Sequence, residues 1–302
     1  MPILQIRAQL FATIRQFFAE RSVLEVDTPL LALASIPDPH VHSFQTDWLG
    51  NTLYLQTSPE FSMKRLLVDG SGSIYQICKA FRHEEVGRFH QPEFTMLEWY
   101  RVGFSLPQLM QEVESLVQTV LPSQAAVTLS YQGVFEQYLN LNPHIVSCDK
   151  LKEIALQHQL DIDLGDDKNA WLDLLFTHVI EPQLAAHDLV FIHRYPAAQA
   201  ALAKLDPNNP ALALRFELYV RGVEIANGFH ELQDAVEQRQ RFENENQRRF
   251  EQGLPLVPLD EAFLLALEKG LPDCCGVALG VDRLLMLMTE AEYINDVLNH
   301  PL

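Results

Sequence analysis

Positive charge is scarce in this sequence: 22 Lys and Arg stand against 40 Asp and Glu, a formal net charge of −18 with a pI near 4.9. Non-specific attachment to nucleic acid rests on neutralising phosphates with Lys and Arg. The deficit therefore argues against a tRNA body as the primary partner, although acidity also keeps a protein soluble. Cysteine is equally uninformative as a scaffold. Cys78, Cys148, Cys274 and Cys275 show no Cys-x-x-Cys or zinc spacing, and a bridge between the adjacent pair would be strained, so they read as reduced core residues. No apolar run approaches the roughly 18 residues needed to span a bilayer. The stretch Met1-Pro2-Ile3-Leu4-Gln5-Ile6-Arg7 turns amphipathic at once, without a signal core or cleavage site. A cytoplasmic protein without membrane contact is expected. Repeats, low-complexity tracts and long linkers are missing too, and 302 residues suffice for one large or two modest domains with a sizeable core.

What is present centres on Lys79 to Arg101. Two runs with strand character, Ile74 to Phe81 and Glu93 to Arg101, flank a polar loop that carries Arg82, Arg88 and His90 and closes at Pro92. Side chains alternate across a strand, so Phe94, Met96, Glu98 and Tyr100 share one face. That face combines an aromatic plate, a carboxylate and a phenol, where a purely structural one would be apolar. Arg82 and Glu84 stand where the first strand enters the loop. A bidentate guanidinium suits phosphate or carboxylate, and a flat apolar surface with a few edge hydrogen bonds suits a purine.

Elsewhere, Ile3 to Ala19 places Ile3, Ile6, Leu10, Ile14, Phe17 and Phe18 at helical spacing, and a short strand from Val23 to Pro29 follows. Ser35 to Trp48, rich in Pro, Asp and His, reads as loop; His40 and His42 lack a third ligand and read as solvated histidines. Leu53 to Gln56 is strand-like. Ser58 is expected to cap a helix running to Leu67, with Pro59 at its first position and Glu60 in its first turn. Ser105 to Val120 is an amphipathic helix, and 142 to 195 reads as a helical insertion. Strands Ala211 to Val220 and Val223 to Phe229 meet at Arg221-Gly222, so Glu217 and Glu224 lie on two arms near one turn. Paired carboxylates repel unless a proton or cation sits between them, and Mg²⁺ takes one or two carboxylates plus phosphate oxygens. Glu224 and Glu231 are seven apart, which a regular strand would send to opposite faces, so a bulge or strand end is expected near Gly228. Helices are expected over Asp234 to Gln252 and Leu259 to Glu268. The run Gly276-Val277-Ala278-Leu279-Gly280-Val281-Asp282-Arg283 reads as a glycine-marked strand entering a helix with Arg283 on its first turn.

In this order the helix–strand–proline unit, the Arg82 hairpin and the glycine-marked strand resemble motifs 1, 2 and 3 of the class II aminoacyl-tRNA synthetases. The run Pro-Glu-Phe-Thr-Met-Leu-Glu resembles the lysyl branch. With the helix starting at the third residue, where lysyl-tRNA synthetases first carry an anticodon-binding domain, the chain is similar to the elongation factor P–lysine ligase family. The resemblance implies an α+β fold, an antiparallel sheet flanked by helices in one catalytic domain over 1–302, working as a homodimer through motif 1. It implies activation of lysine or (R)-β-lysine with ATP and Mg²⁺, then ligation to a lysine side chain of elongation factor P. It puts Arg82 on the substrate carboxylate and α-phosphate and Arg283 and His90 toward the polyphosphate. Phe94 would stack on adenine, with Glu84 on its amine and Gln91, Ile225 and Gly280 also on the ATP side. Glu217 and Glu224 would hold the metal. Ser58, Pro59, Glu60, Glu98, Tyr100, Glu231 and Ala278 fall to the amino-acid side, where two ammonium groups call for several carboxylates. His83 and Gln91 depart from the asparagines usual at those places, and Ala278 from the usual glycine. A minimal synthetase charging tRNA or another amine, and a non-catalytic regulatory relative, are the alternatives.

Overall fold

The computed structural model describes residues 2–83 and 86–301. Its first part contains α1 (Ile3–Ala19), β1 (Leu24–Glu25), β2 (Leu31–Ala32), β3 (Gln45–Trp48), β4 (Asn51–Leu55), α2 (Glu60–Val68) and the hairpin β5 (Ile74–Phe81) and β6 (Glu93–Val102). There follow α3 (Leu106–Val120), β7 (Val127–Ser130), α4 (Tyr131–Leu139), α5 (Cys148–Gln157), α6 (Lys168–Leu175), a π-helical turn (Phe176–Ile180), α7 (Glu181–Leu184) and β8 (Leu189–His193). The last part holds β9 (Leu205–Asp206), β10 (Asn209–Ala213), β11 (Arg215–Val220), β12 (Val223–His230), α8 (Ala235–Glu251), α9 (Glu261–Gly270), β13 (Cys274–Gly280) and α10 (Val281–Thr289). Eight strands form one sheet in the order β1-β5-β6-β13-β12-β11-β8-β7, antiparallel throughout except for the parallel pairs at its two ends. The fold is α+β, a large, mostly antiparallel sheet flanked by helices. No helix among the described residues is long and apolar enough to cross a membrane.

Alternation along the strands divides the core. Leu97, Trp99, Phe191, Phe216, Leu218, Val277 and Leu279 face one side, which α1, α3 and α10 cover. Leu10, Ile14, Phe17 and Phe18 of α1 are buried there, and Phe18 stacks on Tyr75 at 4.4 Å and meets Trp99 edge-on. Burying such a side chain is worth roughly 1.5–3 kcal/mol, so the stripe expected to serve a dimer is spent on the chain's own sheet. The other face is covered only at its ends. A cluster from α4, α5 and α6 packs on Val190, Ile192 and Tyr219, and α2, α8 and α9 pack on Ile74, Tyr100 and Cys274. The middle of that face stays open as the floor of a cavity.

Several expectations need correcting. The end of the Ser35–Trp48 loop is strand β3, whose four residues are all exposed and hairpin onto β4. The strand expected from Val23 to Pro29 pairs over only Leu24 and Glu25. Ser58 stands one residue before the cap of α2, which is Pro59. The interval 142–195 is not helical to its end: Leu189–His193 is a sheet strand paired with β11. The four cysteines are unpaired, but only Cys274 and Cys275 are buried; Cys78 and Cys148 are partly exposed.

Candidate active site

Strand register builds the floor. One row across the open face reads Gln76, Glu98, Ala278, Asn227, Glu217, from β5 through β6, β13 and β12 to β11. The row two residues along reads Ile74, Tyr100, Gly276, Phe229, Arg215. The Tyr100 ring therefore lies against Gly276, where any Cβ would run into that ring and into Glu231 Oε1. A glycine is required here by space rather than by backbone angle. On β12 the ladder steps from Leu218–Ala226 to Tyr219–Glu224, so the bulge falls at Ile225 and not near Gly228. That extra residue brings Glu224 to the same face as Asn227 and Glu231, which resolves the seven-residue conflict. The cavity encloses about 270 Å³.

At one end, buried acids surround an ammonium. Lys64 Nζ lies 2.6 Å from Glu60 Oε1 and 2.6 Å from Glu231 Oε2, with no exposed side-chain surface. Glu98 accepts from Ser58 Oγ at 2.7 Å and from the Tyr100 hydroxyl at 2.6 Å. Burial draws the lysine's pKa down, but Glu231 and Glu60 outweigh it and hold Lys64 well above its ordinary value. Burial, then Glu60, pushes Glu98 up to about 7 against its hydrogen bonds and Lys64. Glu231 also rises, through burial with Glu60 and Glu98 adding, although the contact with Lys64 favours its carboxylate form. Three carboxyls exceed what one cation neutralises, so they take up and release protons as a group.

The opposite end carries the arginines. Arg82 leaves β5 with its guanidinium 5.2 Å from the Phe94 ring centre. Arg283, on the first turn of α10, donates to the Glu224 carbonyl at 2.8 Å and to Phe89 O at 3.2 Å, and reaches Glu224 Oε2 at 3.4 Å and His90 Nε2 at 2.6 Å. A guanidinium can only donate, so that nitrogen of His90 accepts and the ring proton sits on Nδ1. Burial by the pocket walls, then Glu217, raises the pKa of Glu224, although 37 % of its side chain remains exposed. Glu217 is more occupied: it accepts from the hydroxyls of Tyr195 and Tyr219 at 2.6 Å each and is paired with Arg215.

The chain matches, over residues 1–302, the family model described as tRNA synthetases class II (D, K and N). It is 50 % identical over 300 residues to a protein of Edwardsiella ictaluri (strain 93-146) named elongation factor P–(R)-β-lysine ligase, covering 97 % of this chain and 92 % of that one. Proteins of the same name from Proteus mirabilis (strain HI4320) and Klebsiella pneumoniae (strain 342) are 48 % and 47 % identical, covering 98 % and 99 % of this chain and 93 % and 94 % of theirs. The chain belongs to the elongation factor P–(R)-β-lysine ligase family of class II synthetases.

Against the family expectation, Arg82, His90, Gln91, Phe94, Glu224, Ile225, Gly280 and Arg283 all line the cavity, as do Ser58, Glu60, Glu98, Tyr100, Glu231 and Ala278. Pro59 and Glu217 do not: Pro59 is buried and its carbonyl accepts from Met63 N at the start of α2, and Glu217, at the end of the floor row, is taken up by Tyr195, Tyr219 and Arg215. Glu84 lies outside the described residues. Gln91 is buried and donates to Asn295 at 2.6 Å, so its side chain is fixed by the segment after α10. Three residues of the site escape a reading of the sequence. Lys64 carries a faint signal in its position beside Met63 on the buried stripe of α2, four residues after Glu60. Asn227 carries one in its period-two step from Phe229. Glu181 gives no local signal; it starts α7 after the π turn, and burial, then Glu224 and Glu217, pushes it up to about 7.

Proposed function

We propose that the protein activates a lysine-type diamino acid, (R)-β-lysine foremost, as its adenylate and transfers it to a lysine side chain of elongation factor P. The observation that carries this reading is the acid-rich end of the cavity, Glu60, Glu98 and Glu231 around one ammonium, facing arginines at the other end. A carboxylate oxygen of the amino acid attacks the α-phosphorus of ATP and pyrophosphate leaves. The acceptor amine then attacks the activated carbonyl carbon, AMP leaves, and an amide remains. Neither step needs a protein nucleophile. Arg82 orients the substrate carboxylate against the α-phosphate and offsets charge developing there, Arg283 and His90 meet the polyphosphate, and Phe94 offers its face to adenine.

Mg²⁺ suits the acids at the phosphate end. Glu224 is pushed toward protonation by burial and Glu217, which a cation would relieve, and its side chain is open to the cavity. Glu217, already engaged by Arg215 and two tyrosines, would act on the ion through its charge and through Glu224. An ion held there would take its remaining ligands from phosphate oxygens. When bound, the ion supplies charge neutralisation on the phosphates.

Residues 1–302 are taken as one catalytic unit, working in the cytoplasm as a homodimer. With the α1 stripe spent on the core, the support for pairing is the exposed Leu24, Leu30, Leu31 and Leu33 along the edge strand β1 and the segment after it. Light scattering at micromolar concentration should give a dimer, and a monomer would overturn that part. For the chemistry, lysine or (R)-β-lysine should drive exchange of pyrophosphate into ATP. Silence with both would sink the reading and favour a non-catalytic relative.

A further inference from the structure

The ammonium at the acid-rich end belongs to the protein. Lys64 lies on the buried stripe of α2, does not line the cavity itself, and touches two glutamates that do. Charged and polar groups face it from several elements: Glu60 on its own helix, Glu231 just after β12, Glu98 of β6, which the Tyr100 hydroxyl holds, and Cys274 from β13, with the Phe263 ring of α9 at 5.9 Å. Three carboxylates with one ammonium carry a net charge of −2, equal and opposite to the two ammonium groups of a diamino acid. Without the lysine the same acids would carry −3 in a buried space, a charge they would shed by binding protons.

We propose that Lys64 is a resident counter-ion, a positioning residue that fixes the charge and placement of Glu60 and Glu231 so that the cavity receives a substrate with two amines. This deepens, and rests on, the reading of the cavity as a diamino-acid site. The lysine acts through the glutamates and touches no reacting atom. Its loss should therefore appear in amino-acid binding and its pH dependence, while ATP binding at the far end stays as it was.

The test compares the wild-type protein with Lys64→Met in pyrophosphate exchange driven by lysine and β-lysine between pH 6.5 and 9. The variant should need about tenfold or more amino acid at pH 7, with KM falling as pH rises by up to about tenfold per unit, the limit for one proton. The KM for ATP should not move. Calorimetry in two buffers of different ionisation enthalpy should find more protons released per lysine bound by the variant than by the wild type. A KM raised by one constant factor at every pH, or not raised, would overturn the proposal and leave the diamino-acid reading standing. A wild-type protein silent with both isomers would overturn both. If Lys64→Met does not fold, Lys64→Met combined with Glu60→Gln removes one charge of each sign. Its pH midpoint should return to the wild-type value although KM stays high, and a midpoint still displaced upward would contradict the inference.

Discussion

The two ends of the cavity are finished to different degrees. At the acid-rich end every carboxyl already has a partner: Glu98 holds two hydroxyls, Glu60 and Glu231 share Lys64, and Lys64 and Glu231 are essentially inaccessible, at 0 % and 1 % side-chain exposure. At the arginine end Arg283 and Glu224 remain 20 % and 37 % exposed, and the contact between their charged groups is a loose 3.4 Å pair. Physical chemistry accounts for the contrast. Recognition of a small dibasic molecule needs charges fixed in a dry place, where an unpaired carboxylate would be too costly to bury. A polyphosphate brings several charges of its own and often a metal ion, so its site can stay open until ligand arrives. On the proposed reading, selectivity would sit in the wired end and rate in the open end.

That division can be broken by substitution. Arg82→Ala should have the largest effect, lowering the rate of adenylate formation by roughly 10²- to 10³-fold with an unchanged thermal melting curve; near-normal pyrophosphate exchange would remove Arg82 from the chemistry. Next comes Ala278→Gly at the acid-rich end. Ala278 sits in register between Glu98 and Asn227 on the cavity floor, where one methyl is worth roughly 1–3 kcal/mol, about 10- to 200-fold in discrimination. The ratio of kcat/KM for β-lysine to that for α-lysine should fall, and an unchanged ratio would show that the methyl selects nothing.

A smaller effect is expected from acid. Glu98, pushed up to about 7 chiefly by burial, must be ionised to receive an ammonium. Amino-acid KM should thus rise as pH falls through about 7, by up to about tenfold per unit, with ATP KM changing less. A flat amino-acid profile between pH 6 and 8 would place the recognised charge elsewhere. Glu224→Gln should change least, displacing the magnesium titration to higher concentration while keeping the fold, because the amide retains size and loses charge. An unmoved titration would take the metal role from Glu224.

Period two alone makes the Arg82 hairpin legible in the sequence: β5 and the face shared by Phe94, Met96, Glu98 and Tyr100 stand where alternation puts them. The glycine-marked strand is equally readable. What composition hides is tertiary. Leu189–His193 is a short apolar run buried on both faces, and such a run between helices does not announce itself as strand. Strand β3 is fully exposed and carries no apolar pattern to detect. The conflict between Glu224 and Glu231 reveals that a bulge must exist, but its place at Ile225 depends on the pairing of β12 with β11. Lys64 reads locally as an ordinary helix pair with Glu60; only the approach of Glu231, far along the chain, makes it part of the site.

A cavity that serves a diamino acid destined for a protein amine must leave its mark on that protein. Elongation factor P incubated with the enzyme, ATP, Mg²⁺ and (R)-β-lysine, then digested and read by mass spectrometry, puts this to the proof. One lysine-containing peptide of elongation factor P should gain the mass of a single lysyl group, dependent on ATP and lost with Arg82→Ala. Unmodified elongation factor P, with the amino acid delivered to tRNA in a parallel reaction, would contradict it.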